Sequence, residues 1–252
     1  ETFGSYTLLS GDVVEFLLPE EEHEHHFDER RILHNDRGVF AYDKPPHLAV
    51  TPQDGPKSWS LFDILKASPI GQETPLFPVH RLDADTSGIV LFAKDPTTAA
   101  RVEAFFRDHQ VEKTYHAIVR GHPREEGSHR SYLVKVASRK GFEQWKSGRG
   151  PDAREAITNW QVEERLGKYG SLVRVQPKTG RYHQIRIHFS ELGYPLYGDR
   201  VYGDRLDPVH VHRHQLHASE VHLANPTSGP ALRIRCPIPR DMLQAMDRLR
   251  RI

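Results

Sequence analysis

Between His80 and Gly88 the chain reads His-Arg-Leu-Asp-Ala-Asp-Thr-Ser-Gly, and a continuous apolar run, Ile89 to Ala93, follows at once. Catalytic groups tend to sit on loops anchored to rigid strands. An Asp beside an Arg is favoured in its ionised form, and an ionised carboxylate can serve as nucleophile or base. Asp83 is therefore a candidate reacting group, with Arg81 beside it. The same residues, Asp, Thr, Ser and Gly, also make ordinary turns. A second group spans Pro177 to His188 and includes Lys178, Gly180, Arg181, Gln184, Arg186 and His188. A Gly-containing turn with Lys and Arg can hold phosphates. Read as a strand, His183 to Phe189 alternates, with Ile185 and Ile187 on one face and Gln184, Arg186 and His188 on the other. That polar face is either solvated or the lining of a cleft. The third group is Lys113-Thr114-Tyr115. Tyr115 shares a strand face with Ala117 and Val119, so it is either core or a platform for a nucleobase.

Other signals carry less. His23, His25 and His26 lie in an acidic stretch, and His210, His212, His214, His217 and His222 are dense. Neither run is joined by a fixed second cluster of ligands, so we expect solvated histidines and no metal. There is no phosphate loop and no dinucleotide glycine fingerprint.

These residues need elements to position them. Gly38 to Tyr42 reads as a strand ended by Asp43-Lys44-Pro45-Pro46. Ser60 with Asp63 forms a capping box for a short helix. Ile89 to Ala93 is a strand buried on both faces. Asp95-Pro96 starts a helix with an apolar stripe through Val102, Phe105 and Phe106, ending near His109. Lys113 to Arg120 is a strand, and residues 121–153 are a long hairpin or insertion. Ile157 to Glu163 pairs with Leu172 to Gln176. Leu232 to Ile234 is a last strand, and Pro239 to Arg251 is an amphipathic helix through Leu243, Met246 and Leu249. Hairpins mixed with helices argue for an α+β fold.

The chain has 252 residues, net charge +1 and one cysteine, Cys236. That length suits one large domain, and the single cysteine excludes an internal disulfide framework. An intracellular, reducing compartment fits. No apolar run reaches membrane-spanning length. The net charge hides patches. Glu15 to Glu29 holds seven acidic residues and no Lys or Arg, whereas Arg174 to Ser190 holds four basic residues and no acid. Residues 1–18 read as a short β unit around the Ser10-Gly11-Asp12 turn, and 19–29 as a solvated linker. The main domain then occupies residues 30–252.

Taken together, His80-Arg81-Leu82-Asp83 with Thr86-Ser87-Gly88, Asp43-Lys44-Pro45-Pro46-His47-Leu48, Lys113-Thr114-Tyr115, Lys178 to His188, Tyr197-Gly198-Asp199 and Leu216-His217-Ala218 resemble the motifs of the RluA-type pseudouridine synthases. They come in that family's order and cover roughly residues 35 to 240. The resemblance implies a mixed, largely antiparallel bent sheet with flanking helices and a central cleft. It implies a cytoplasmic, cofactor-free isomerase of uridine in ribosomal or transfer RNA, expected as a monomer with no obligate protein partner. Asp83 would be the catalytic carboxylate, and Arg186, chosen over Arg181 for its strand position, its cationic partner. Tyr115 would stack on the flipped uracil and assist the last deprotonation, and Arg81 would help flip the base or hold the strand. Arg181 and Lys178 would contact RNA. Residues 10–14 resemble only the end of an S4-type RNA-binding domain. Tyr182 stands where relatives commonly have a small residue.

Two other readings remain at this level. A non-catalytic RNA-binding protein would need to lack Asp83 or Arg186. A carboxylate-based glycosidase would need Asp85 as a second, acid carboxylate.

Overall fold

A computed structural model describes residues 25–52, 59–136, 144–203 and 207–252. The β unit and most of the linker expected before residue 25 lie outside them. The elements follow in chain order. They are β1 (Ile32–Asn35), β2 (Val39–Lys44), α1 (Leu61–Ala67), α2 (Pro69–Glu73), β3 (Phe77–Pro78), β4 (Ser87–Ala93), α3 (Pro96–Arg107), β5 (Glu112–Arg120), β6 (Glu126–Val136), β7 (Gln144–Ser147), β8 (Arg154–Leu166), β9 (Gly170–Pro177), α4 (Gln184–Glu191), β10 (Leu216–Leu223), β11 (Leu232–Arg235) and α5 (Arg240–Leu249).

The strands form one sheet in the order β1-β2-β4-β10-β5-β9-β8-β6-β7, with β11 on β10 and β3 on β4. β4 and β10 run parallel, and the other pairings among the described residues are antiparallel. The fold is α+β.

β4 is buried at every position. Its Ile89, Leu91 and Ala93 join Val39 and Ala41 under Ala99 and Val102 of α3. Val90 and Phe92 turn the other way, onto Leu61, Ile64 and Leu65 of α1. At about 1.5–3 kcal/mol for each large apolar side chain removed from water, this strand is a rigid base for the loop before it. Local signals hold where the sequence was read by its caps. Ser60 and Asp63 close the capping box of α1, and the Asp95 side chain accepts from Thr98 N–H at the start of α3. The hairpin within 121–153 is β6–β7.

Three expectations fail. The segment read as an alternating strand is the helix α4, and all residues from Gln184 to Phe189 are buried. A helix buried all round has no amphipathic period to read. Ile185 packs toward Val173 and Val175 of β9, while Ile187 meets Leu133 and Ala156. In α5 the buried stripe is Met242, Ala245, Met246 and Leu249, spaced as a helical face requires. Leu243 lies off it and is 46% exposed. The dense histidines are not all solvated: His214 and His217 are buried, and His217 sits on β10, a central strand that the sequence reading left unassigned.

Gly88 shows how closely β4 and β10 approach. Its φ is +110°, and a Cβ there would lie 2.2 Å from the Ala218 carbonyl oxygen. Gly88→Ala meets both the backbone penalty and the clash, and we expect a loss of about 3 kcal/mol in unfolding free energy, read from the shift in urea midpoint. An unchanged midpoint would show that the two strands can separate at no cost.

Candidate active site

The loop from Val79 to Thr86 carries Asp83 into a cleft of about 540 Å³. The loop is held from outside itself. The Ala84 carbonyl accepts from Lys44 Nζ (2.7 Å) and from Leu48 N–H (3.2 Å). The Asp85 carbonyl accepts from Arg213 Nη1 at 3.0 Å, and the Asp85 carboxylate meets His47 Nδ1 at 3.0 Å. Thr86 Oγ1 pairs with His214 Nε2 at 2.8 Å, and Ser87 Oγ with His217 Nδ1 at 2.9 Å. Asp83 is therefore aimed by contacts from β2, from β10 and from the segment before β10.

Lys44 is fully buried. Burial, then Arg213, pulls its amine down to about 7, against the attraction of Asp85, Asp83 and Asp43. It also donates to the Pro45 and Leu48 carbonyls, each at 2.8 Å. Three carbonyl acceptors call for three N–H groups, which only the ammonium form provides.

Arg186 projects from α4. Its Nη1 donates to Asp83 Oδ2 at 3.0 Å. Its Nε and Nη2 form a fork on Asp199, at 2.7 and 3.0 Å. Asp199 Oδ1 also accepts from the Val201 and Tyr202 N–H groups, at 2.9 and 3.0 Å. Burial opposes charge on both groups. The hydrogen bonds and mutual attraction prevail, lowering the Asp199 carboxyl and raising Arg186. Asp83 Oδ2 is thus engaged by the guanidinium, while Oδ1 accepts no hydrogen bond from the described residues.

The turn before α4 owes its shape to Gln184. Its Oε1 accepts from Thr179 Oγ1 (2.7 Å) and Arg181 N–H (3.0 Å), and its Nε2 donates to the Ile157 carbonyl and Thr158 Oγ1, both at 3.0 Å. This network ties the turn to β8 and places Arg181 at the cleft wall, where its Nε donates to the Glu155 carbonyl at 3.0 Å.

Side chains alternate along β5, so Lys113 and Tyr115 face the cleft while Glu112, Thr114 and His116 face the reverse side of the sheet. Tyr115 also packs on the core clusters to either side. Burial, then the charge of Asp83, raises its phenol well above the usual value. Burial and the neighbouring Arg181 bring Lys113 down to about 8. The lining holds five cationic side chains, Arg81, Arg107, Lys113, Arg181 and Arg186, against one carboxylate, Asp83. In a chain of net charge +1 this cleft is a concentrated positive field.

The candidate residues Asp83, Arg186, Tyr115, Arg81 and Arg181 all line this one cleft, and exposed Lys178 does not. Arg186 reaches Asp83 from a helix, not from the strand on which it was chosen. Asp199 and His214 carry parts of the site to which the sequence reading gave no role, while Lys113 and His183 stood in the groups singled out there without a role of their own. Asp199 stood in a quoted motif, but no spacing signal pairs it with Arg186. The densely spaced histidines gave no hint that His214 is buried. Asp85 is unsuited to proton donation: burial opposes ionisation, yet His47, His214 and Arg186 lower its carboxyl to about 2. Among the described residues no group of three or more metal-ligating side chains gathers.

The buried histidines make stability depend on pH. Burial lowers His80, His183, His188 and His217 to about 4, and His214 to about 3. All are neutral in the folded protein at pH 6, whereas the unfolded chain takes up protons below about 6.5. The unfolded state then binds more protons, so stability falls as pH drops from about 6.5 toward 4, by about 1.4 kcal/mol per pH unit for each such histidine. Urea midpoints should fall steeply between pH 7 and pH 5. A flat profile would mean that these imidazoles protonate freely in the fold.

A sequence profile for RNA pseudouridylate synthase matches residues 38–191. An RNA pseudouridine synthase of Chloroflexus aurantiacus is 34% identical over 204 residues; the alignment covers 79% of this chain and 63% of that protein. The tRNA pseudouridine synthase C of Vibrio parahaemolyticus is 34% identical over 231 residues, covering 83% of this chain and 91% of that one. The ribosomal large subunit pseudouridine synthase D of Zymomonas mobilis is 32% identical over 225 residues, covering 84% and 70%. The structure of human RNA Pseudouridylate Synthase Domain Containing 4 superposes with a TM-score of 0.72 at 28% identity, covering 88% of this chain and 93% of that one.

Proposed function

The chain belongs to the RNA pseudouridylate synthase family, and from that premise we propose that it isomerises specific uridines of transfer or ribosomal RNA to pseudouridine, with Asp83 as the catalytic carboxylate. The observation that carries this reading is the Asp83–Arg186 contact of 3.0 Å inside a cleft whose other charged side chains are cationic.

The chemistry breaks the N1–C1′ bond and forms C5–C1′. C5 loses a proton and N1 gains one, so no redox equivalent or external group is consumed. The target base must first leave its stack. The lining cations Arg81, Arg107 and Arg181 suit the phosphates on either side of an everted nucleotide. Asp83 Oδ1 is the oxygen left to act at the sugar, with Oδ2 held by Arg186. Tyr115 is placed to stack on the uracil. Its raised pKa keeps the phenol neutral, which favours stacking over proton abstraction. The glycosidase reading lacks its acid, because Asp85 is ionised.

We take the enzyme to act as a monomer in the cytoplasm, where both classes of RNA occur. Pseudouridine maps of total RNA from cells with and without the gene test the assignment. Sites that vanish identify the substrate, and identical maps would remove the assignment.

A further inference from the structure

His183 lines the cleft beside Asp83, and the reaction described above gives it no part. Its backbone is left-handed, with φ of 52°, a conformation uncommon outside glycine. The ring lies flat against Tyr182, with centroids 3.8 Å apart. Its Nδ1 is 3.0 Å from the Tyr202 hydroxyl, and its Nε2 is 3.5 Å from Asp83 Oδ2. Tyr202 also lies 5.2 Å beneath the Arg186 guanidinium.

The polarity of these contacts is set by the groups at the two ends of the chain. The Trp145 N–H on the β6–β7 hairpin donates to the Tyr202 oxygen at 3.4 Å. A backbone N–H can only donate, so Tyr202 accepts there and its own hydrogen is free for His183 Nδ1. A carboxylate oxygen only accepts, so the proton of the neutral imidazole sits on Nε2, facing Asp83 Oδ2, and Nδ1 accepts from the Tyr202 hydroxyl. Burial keeps the imidazole neutral and the Tyr202 phenol protonated.

We propose that His183 and Tyr202 are positioning residues of this reaction: the hairpin amide, the phenol and the imidazole form a directed chain that holds Asp83 Oδ2 from the side of the β6–β7 hairpin. Together with Arg186 this leaves Oδ1 as the reacting oxygen. The contact is 3.5 Å, and catalytic hydrogen bonds of this length tighten in the complex with substrate. The inference deepens the reading above and rests on it.

The test has two parts. Nitrogen-15 spectra of histidine-labelled protein, with His183→Asn identifying the signal, should show the Nε2–H tautomer at His183. Tyr202→Phe should shift that signal toward Nδ1–H. This part needs no turnover, so it stands or falls apart from the assigned activity. Single-turnover release of tritium then follows, from 5-tritiated-uridine RNA prepared in cells lacking the gene. Tyr202→Phe and His183→Asn should each lose about tenfold in rate, as expected for a hydrogen bond to a charged group. Asn tolerates left-handed backbone, so the second variant keeps the turn. RNA affinity should stay within about twofold, and the double variant should be no slower than the worse single one. An Nδ1–H tautomer in the unmodified protein, additive losses, or losses confined to RNA affinity and thermal stability would overturn the proposal.

Discussion

Asp83→Asn should lower pseudouridine formation by on the order of 10⁴-fold while leaving the fold and RNA affinity close to those of the parent protein. The substitution preserves shape and removes the charge needed for attack or for assistance at C1′. Stability should hold because Asp83 is the more accessible of the two Arg186 partners, with its side chain 22% exposed against 1% for Asp199. Once Asp83 is neutral, Arg186 still has its fork on Asp199. Tritium release, filter binding and thermal unfolding on one preparation provide the three readings. Retention of even a tenth of the parental rate would reject Asp83 as the catalytic carboxylate.

Arg186→Met should fail differently, losing both turnover and about 3–5 kcal/mol of stability. The variant leaves Asp199 buried with only the Val201 and Tyr202 N–H groups to compensate its charge. Arg186→Lys should not rescue turnover, because an ammonium cannot hold Asp199 in a fork and reach Asp83 at the same time. Adding Asp199→Leu to Arg186→Met removes the orphaned carboxylate. The pair of apolar side chains should recover much of the stability and none of the activity. Urea midpoints of the single and double variants decide this. A double variant as unstable as Arg186→Met would show that the loss does not arise from an uncompensated Asp199. The contrast between Asp83→Asn and Arg186→Met separates the reacting group from the group that holds it.

Much of this architecture was legible from residue types at short range. Ser60 with Asp63 and Asp95 with Pro96 start their helices through contacts three residues away. The apolar run after Gly88 could only be a strand covered on both faces. The loop that carries Asp83 was visible because Arg, Asp, Thr, Ser and Gly gather just before that strand. Tyr115 was placed correctly on one face of its strand, where its ring packs on core and also lines the cleft.

The remainder needed the folded chain. Residues 184–189 alternate in polarity as a strand would, yet they form a helix, because every polar member finds a buried partner far away in sequence. Gln184 and His188 meet Thr158 on β8, and Arg186 meets Asp83 across 103 positions. Periodicity reports a boundary between core and solvent, and a segment with no solvent side carries no such boundary. His214 and His217 were misread for the same reason: their hydroxyl partners, Thr86 and Ser87, lie 128 and 130 residues away. By itself the sequence determined the helix starts, the central strand and the loop that carries Asp83, because each is set by neighbours within a few residues. The tertiary structure alone decided that Arg186 reaches Asp83 from a helix while gripping Asp199, and which histidines are dry, because those depend on charges and hydrogen bonds brought together only when the sheet closes.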